Sequence, residues 1–144
     1  MSNCLSRLMA PTGYEFYDIA IQIDKHIWNF IKYEYKKKSK DEQGNIPTRY
    51  WYTHAVPLHN ECWNLISDIT YANSIIPHNE IELEERKKAQ RSAIARCKNI
   101  FQLINLTLIE LPNINANKLN FVLSLLDKEY NVLVGWLNSS KIRI

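Results

Sequence analysis

Apolar residues recur along this chain at three- and four-residue spacing in four long stretches, and nowhere do they keep the alternation that marks a strand. In the first stretch Phe16, Ala20, Ile23, Ile27, Phe30 or Ile31, and Tyr35 form a stripe that Ile21 and Trp28 widen, which predicts a helix over residues 14–38. The second carries Tyr52, Leu58, Cys62, Leu65 or Ile66, Ile69, and Ala72 or Asn73, and predicts a helix over 52–76. Pro57 sits awkwardly inside it. Proline lacks an amide donor and pushes the preceding residue out of helical space, so 49–56 reads as a separate turn with the main helix starting near Pro57. Asn79 is placed to cap a third helix over 80–111, whose first turns hold Glu80, Glu82, Glu84 and Glu85 at the positive end of the helix dipole. Its long face is Leu83, Arg86 or Lys87, Gln90, Ile94, Cys97, Phe101, Ile104, Leu108 and Leu111. From Ile100 onward it is apolar nearly all round, the pattern of a helix covered on more than one side. Pro112 stops it. Asn115 is set to cap a fourth helix over 116–138 through Leu119, Val122 or Leu123, Leu126, Tyr130, Leu133 or Val134, and Leu137, and the tail 139–144 is expected to fray.

Punctuation between these pieces is sparse. Only three glycines occur, at 13, 44 and 135, and the polar connection 38–45 (KSKDEQGN) ends in a Gly-Asn turn. Four helices with short links predict an all-α fold, an antiparallel up-down four-helix bundle, as a single domain over 1–144. Four tryptophans and eight tyrosines are more large amphipathic side chains than a small four-helix core must hold, which predicts a subunit interface and a homo-oligomer. No run of about 18 apolar residues occurs, so no membrane span is expected. The first ten residues lack the apolar core of a signal peptide, which points to a cytoplasmic protein. Cys4, Cys62 and Cys97 are odd in number and far apart, and read as reduced thiols.

Charge adds the main clue to a partner. The net charge is only +3, yet no acid falls between Glu85 and Glu110, while Arg86, Lys87, Lys88, Arg91, Arg96 and Lys98 all do. Such segregation points to a polyanionic partner. Lys87, Arg91 and Lys98 lie close together on a helical wheel and form a stripe that no acid is expected to face. Lys36, Lys37, Lys38 and Lys40 make a second cluster. The competing reading is a solvated outer face, with Glu84–Lys88 and Glu82–Arg86 as four-residue ion pairs. Tyr50, Trp51 and Tyr52 beside Arg49 could stack on unpaired bases, or serve as interface or core.

Templates for chemistry are largely absent. There is no P-loop, GxSxG, HExxH or glycine-rich dinucleotide turn, and the acids that open the third helix are explained by capping. His54 and His59 do not share a helix face well, and His26 and His78 stand apart, so no metal site or cofactor is expected. One spacing, Arg49-Tyr-Trp-Tyr-Thr-His54, resembles the arginine, four residues, histidine pattern of HEPN ribonucleases, where the arginine steadies phosphate and the histidine moves a proton on the ribose hydroxyl. It lacks the polar residue that usually follows the arginine, and it lies early in the chain.

Helix order, Tyr17-Asp18 opening the first helix, Ala93 to Leu103 (AIARCKNIFQL) and the closing Leu126-Asp-Lys-Glu-Tyr-Asn-Val-Leu-Val-Gly-Trp-Leu together resemble the accessory variability determinant (Avd) proteins of diversity-generating retroelements. The resemblance spans about residues 14–138 and departs in the lysine-rich connection 36–45 and the proline-broken stretch before the second helix. It implies a ring-like pentamer with no catalysis of its own. Such a subunit would bind the retroelement's reverse transcriptase and its template RNA, RNA or DNA being the contacted nucleic acid, and so support mutagenic cDNA synthesis. By that analogy the basic residues of the third helix would contact nucleic acid or polymerase, and Gly135-Trp136 would help pack the fourth. The alternatives are a HEPN-type ribonuclease and a pure protein-interaction scaffold.

Overall fold

The computed structural model describes residues 11, 13–35, 50–111, 114 and 116–143. Among them are four α-helices, one π-helical turn and no strand: α1 Glu15–Tyr35, the π turn Trp51–Ala55, α2 Val56–Ser74, α3 Glu80–Glu110 and α4 Asn117–Ser139. The all-helical expectation holds: α3 and α4 begin and end within one residue of the expected bounds, and α2 starts at Val56, beside the expected start near Pro57 and four residues after 52. Pro112, Asn115 and the connection 38–45 lie outside the described residues.

The starts of α1, α2 and α3 have local causes. Gly13, at φ 93°, turns the chain into α1, a backbone conformation that side chains with a Cβ rarely adopt. Pro57 occupies the first turn of α2, where a missing amide costs least. Just before it the ladder loosens into a π turn, the Val56 amide donating back five residues to the Trp51 carbonyl. The Asn79 side chain accepts from the Glu82 amide at 2.9 Å, while Glu82 Oε1 reaches back to accept from the His78 amide at 2.8 Å. At α4 the expected cap, Asn115, lies outside the described residues. The N-cap residue of this helix is Ala116, which offers no side-chain acceptor.

Each helix packs mainly on two others: α1 on α2 and α4, and α3 on α2 and α4, the α2–α3 contact being the most extensive. Between them lies one core of fully buried side chains, Ile23, Ile27 and Ile31 from α1, Leu58, Leu65 and Ile69 from α2, Ile100 and Ile104 from α3, and Leu119 and Leu133 from α4. Each contributes about 1.5–3 kcal/mol by leaving water.

Three expectations need correction. Along α3 the expected Gln90, Cys97, Ile104 and Leu111 are buried, but Ala89, Ala93, Ile100 and Thr107 complete the buried face, with Ile94 and Leu108 only partly buried beside it, so the face is shifted from the expected stripe. Phe101 is 46% exposed and Ile109 78% exposed, so the apolar second half of α3 is not covered by this chain alone. In α4 the inward position between Leu126 and Leu133 is taken by Glu129, not by Tyr130. The tail is also held where fraying was expected. The Arg143 amide donates to the Pro77 carbonyl at 2.7 Å, and the Ser140 hydroxyl exchanges hydrogen bonds with the Gln90 side chain at 2.8 and 3.1 Å. The buried Gln90 amide needs those partners, and the tail supplies them.

Candidate nucleic-acid interface

The six basic residues of α3 divide into two groups by what they touch. Arg86 turns inward. Its Nη1 donates to the Ile75 carbonyl at 2.8 Å, and its guanidinium lies 5.3 Å from the centre of the Trp136 ring. Burial, and then the charge of Arg143, hold its pKa below the ordinary arginine value. Arg86 therefore clips the α2–α3 link to α4.

Arg96 fastens α3 to α2. Its Nε donates to Asp68 Oδ2 at 3.2 Å and its Nη1 to Glu61 Oε1 at 3.1 Å. Ser92 donates to the same Asp68 oxygen at 2.6 Å, and Asn99 to Glu61 Oε2 at 3.2 Å. Arg91 pairs with Glu84, two turns earlier on the same face. An acid thus does face the basic stripe, contrary to the expectation. The expected four-residue pairs also give way, because Glu84 is taken by Arg91 while Glu82 caps the helix and Arg86 is drawn inward.

Lys87, Lys88 and Lys98 remain. Among the described residues none of the three has a carboxylate at ion-pair distance. Lys88 shares a shallow surface hollow with Glu80, Glu84 and Glu85, so its surroundings are mixed in sign. Lys98 lies 5.6 Å from the centre of the Tyr130 ring. It stands on the rim of a groove of about 360 Å³ between α3 and α4, lined also by Phe101, Leu123, Leu126, Asp127 and Tyr130. Lys36, Lys37, Lys38 and Lys40 lie outside the described residues.

Arg49 of the arginine–histidine spacing lies outside them as well. His54 is tied on both sides, its Nδ1 2.7 Å from the Thr53 hydroxyl and its Nε2 2.7 Å from Glu110 Oε1. Among the described residues no group of three metal-capable side chains is assembled. Cys62 and Cys97 are buried free thiols whose pKa values burial pushes well up, so neither is an available nucleophile.

Two features escaped the sequence reading. Glu129 is fully buried, and neither carboxylate oxygen has a hydrogen-bond partner among the described residues. Its pKa is pushed up to about 9, first by burial and then by the charge of Glu15. The second is an aromatic array between α1 and α2. The His59 ring stacks on Trp28 with centres 4.8 Å apart, lies 4.9 Å from Trp63, and places Nε2 3.1 Å from Asp24 Oδ1. The four-residue steps 24–28 and 59–63 were visible in the sequence, but their meeting across two helices was not. No protein-family model matches this chain, and no curated protein or solved structure shows significant similarity to it.

Proposed function

We propose that this chain is a non-catalytic, RNA-binding accessory subunit, working in the cytoplasm beside the reverse transcriptase and template RNA of a diversity-generating retroelement. The carrying observation is the division within α3: Arg86, Arg91 and Arg96 are engaged by the protein's own groups, whereas Lys87 and Lys98, three turns apart, keep charge that no described carboxylate neutralises. Charge left open in this way is what a phosphate backbone can use.

The proposed assembly is an antiparallel up-down bundle in a ring-like homopentamer. Two sets of contacts support the antiparallel order. Glu15–Lys128 and Glu34–Lys118 join α1 to α4 with numbers running in opposite senses, as do His54–Glu110 and Asp68–Arg96 for the second segment and α3. The support for a subunit interface is the exposure of large apolar side chains on two helices, Phe101 and Ile109 of α3 and Phe121 of α4, at 46–78%.

The test is a double charge reversal. Lys87→Glu with Lys98→Glu is expected to weaken binding of a structured RNA by at least tenfold at about 0.1 M salt while leaving the oligomer mass unchanged. Unchanged affinity contradicts the reading. A second reading, a HEPN-type ribonuclease, draws on one observation, the fixing of His54 between Thr53 and Glu110. The same binding mixture separates the two, because the accessory reading expects the RNA to stay full length. Cleavage that is lost in His54→Ala would favour the ribonuclease.

A further inference from the structure

The α1–α2 face carries a ladder of rings whose last rung is open. Trp28 and His59 are stacked with an interplanar angle of 22°, Trp63 is tilted against His59 at 56°, and Trp63 is 59% exposed. Trp51 closes the inner end, where it lines a cavity of about 60 Å³ with Trp28 and His59. The exposed indole of Trp63 therefore offers a ring face or edge at the end of the array for another ring to pack on.

Charge on the same face indicates what that is. Lys25 and Lys32 stand one turn before and one turn after Trp28 on the same face of α1, about 10 Å apart along the helix. Both are exposed, and among the described residues neither has a carboxylate at ion-pair distance. The nearest acid in the array, Asp24, faces His59. An open aromatic platform bordered by two unneutralised cations fits unpaired bases on the rings and their phosphates on the lysines, because every base offers a π-face and every linkage a charge. A protein partner would be expected to bring acids to the lysines but has less use for an exposed indole at the end of a ring array.

We infer that Trp63, His59 and Trp28, with Lys25 and Lys32, form a stacking site for single-stranded nucleic acid, separate from the lysines of α3. This inference rests on the RNA-binding reading above and locates where unpaired nucleotides are held. Duplex RNA keeps its bases stacked inside the helix and cannot use the ladder, so the site confers a preference for single strands.

The test is fluorescence anisotropy of the full chain with a fluorescein-labelled single-stranded RNA of about a dozen nucleotides, and with the same RNA annealed to its complement, at about 0.1 M salt. Trp63→Ala is expected to weaken single-strand binding roughly tenfold or more and to leave duplex binding unchanged, while Trp63→Phe retains most of the affinity. Lys25→Gln with Lys32→Gln is expected to lower the slope of log K against log salt by about 1.4. Because Trp63 is mostly in water, none of these changes should unfold the chain. Wild-type and Trp63→Ala proteins binding the single strand equally would overturn the ladder while leaving RNA binding intact. A wild type that binds neither RNA would overturn the RNA-binding reading itself.

Discussion

Replacing Glu129 with leucine should raise the stability of the folded chain at pH 7 by about 3 kcal/mol and its melting temperature by roughly 10 °C. The carboxyl occupies a fully buried position between Leu126 and Leu133 with no hydrogen-bond partner among the described residues. Water cannot stabilise its charge there, and Glu15 adds repulsion, so it holds its proton to about pH 9 instead of the ordinary 4.5. The unfolded chain ionises at the ordinary value. Between pH 4.5 and about 9 the folded state therefore carries a proton that the unfolded state lacks, and stability falls as pH rises through that window. At pH 7 the accumulated cost is about 1.36 kcal/mol for each pH step above 4.5, which gives the figure above. Denaturant melts from pH 4 to 9 check this directly. Wild-type stability should decline with pH, Glu129→Gln should flatten the decline, and Glu129→Leu should add stability that grows toward pH 9. A wild type equally stable at pH 5 and pH 8 would show that Glu129 has a partner in solution.

Arg96→Ala should act in the opposite direction, costing about 2–3 kcal/mol with no specific loss of RNA affinity. Its guanidinium lies between Asp68 and Glu61, whose side chains are only 23% and 16% exposed. Removing it leaves two largely buried carboxylates with only Ser92, Asn64 and Asn99 to satisfy them. Asp68→Asn in the same background should recover part of the loss, since it removes one stranded charge. Chemical denaturation gives the stability change, and RNA affinity measured well below the melting temperature gives the functional one. A stable Arg96→Ala protein with weakened RNA binding would place Arg96 at the interface and contradict its assignment to packing.

Arg96 and Glu129 also show where the sequence was legible and where it was not. Periodicity of three and four gave the four helices, because burying an apolar stripe is what holds each of them in place, and Asn79 announced the start of α3 through its side-chain chemistry. The roles of the basic residues were not readable. Whether an arginine faces solvent depends on what the neighbouring helix offers, and Asp68 and Glu61 lie 28 and 35 residues before Arg96. Glu129 escaped because a search for apolar stripes passes over a carboxyl in a core position and takes the adjacent Tyr130 instead. The ladder was hidden for the same reason as the Arg96 clamp: Trp28 and His59 meet only after α1 and α2 pack. The tail looked frayed because the need of buried Gln90 for Ser140 is a tertiary fact.

The most direct test of the central claim is native mass spectrometry of the purified chain with and without a structured RNA at about 0.1 M salt, followed by a check of RNA length. A pentamer that takes up the RNA and returns it at full length is the predicted result, with uptake lost in the Lys87→Glu, Lys98→Glu protein. A chain that takes up no RNA, or one that shortens it, would contradict the account.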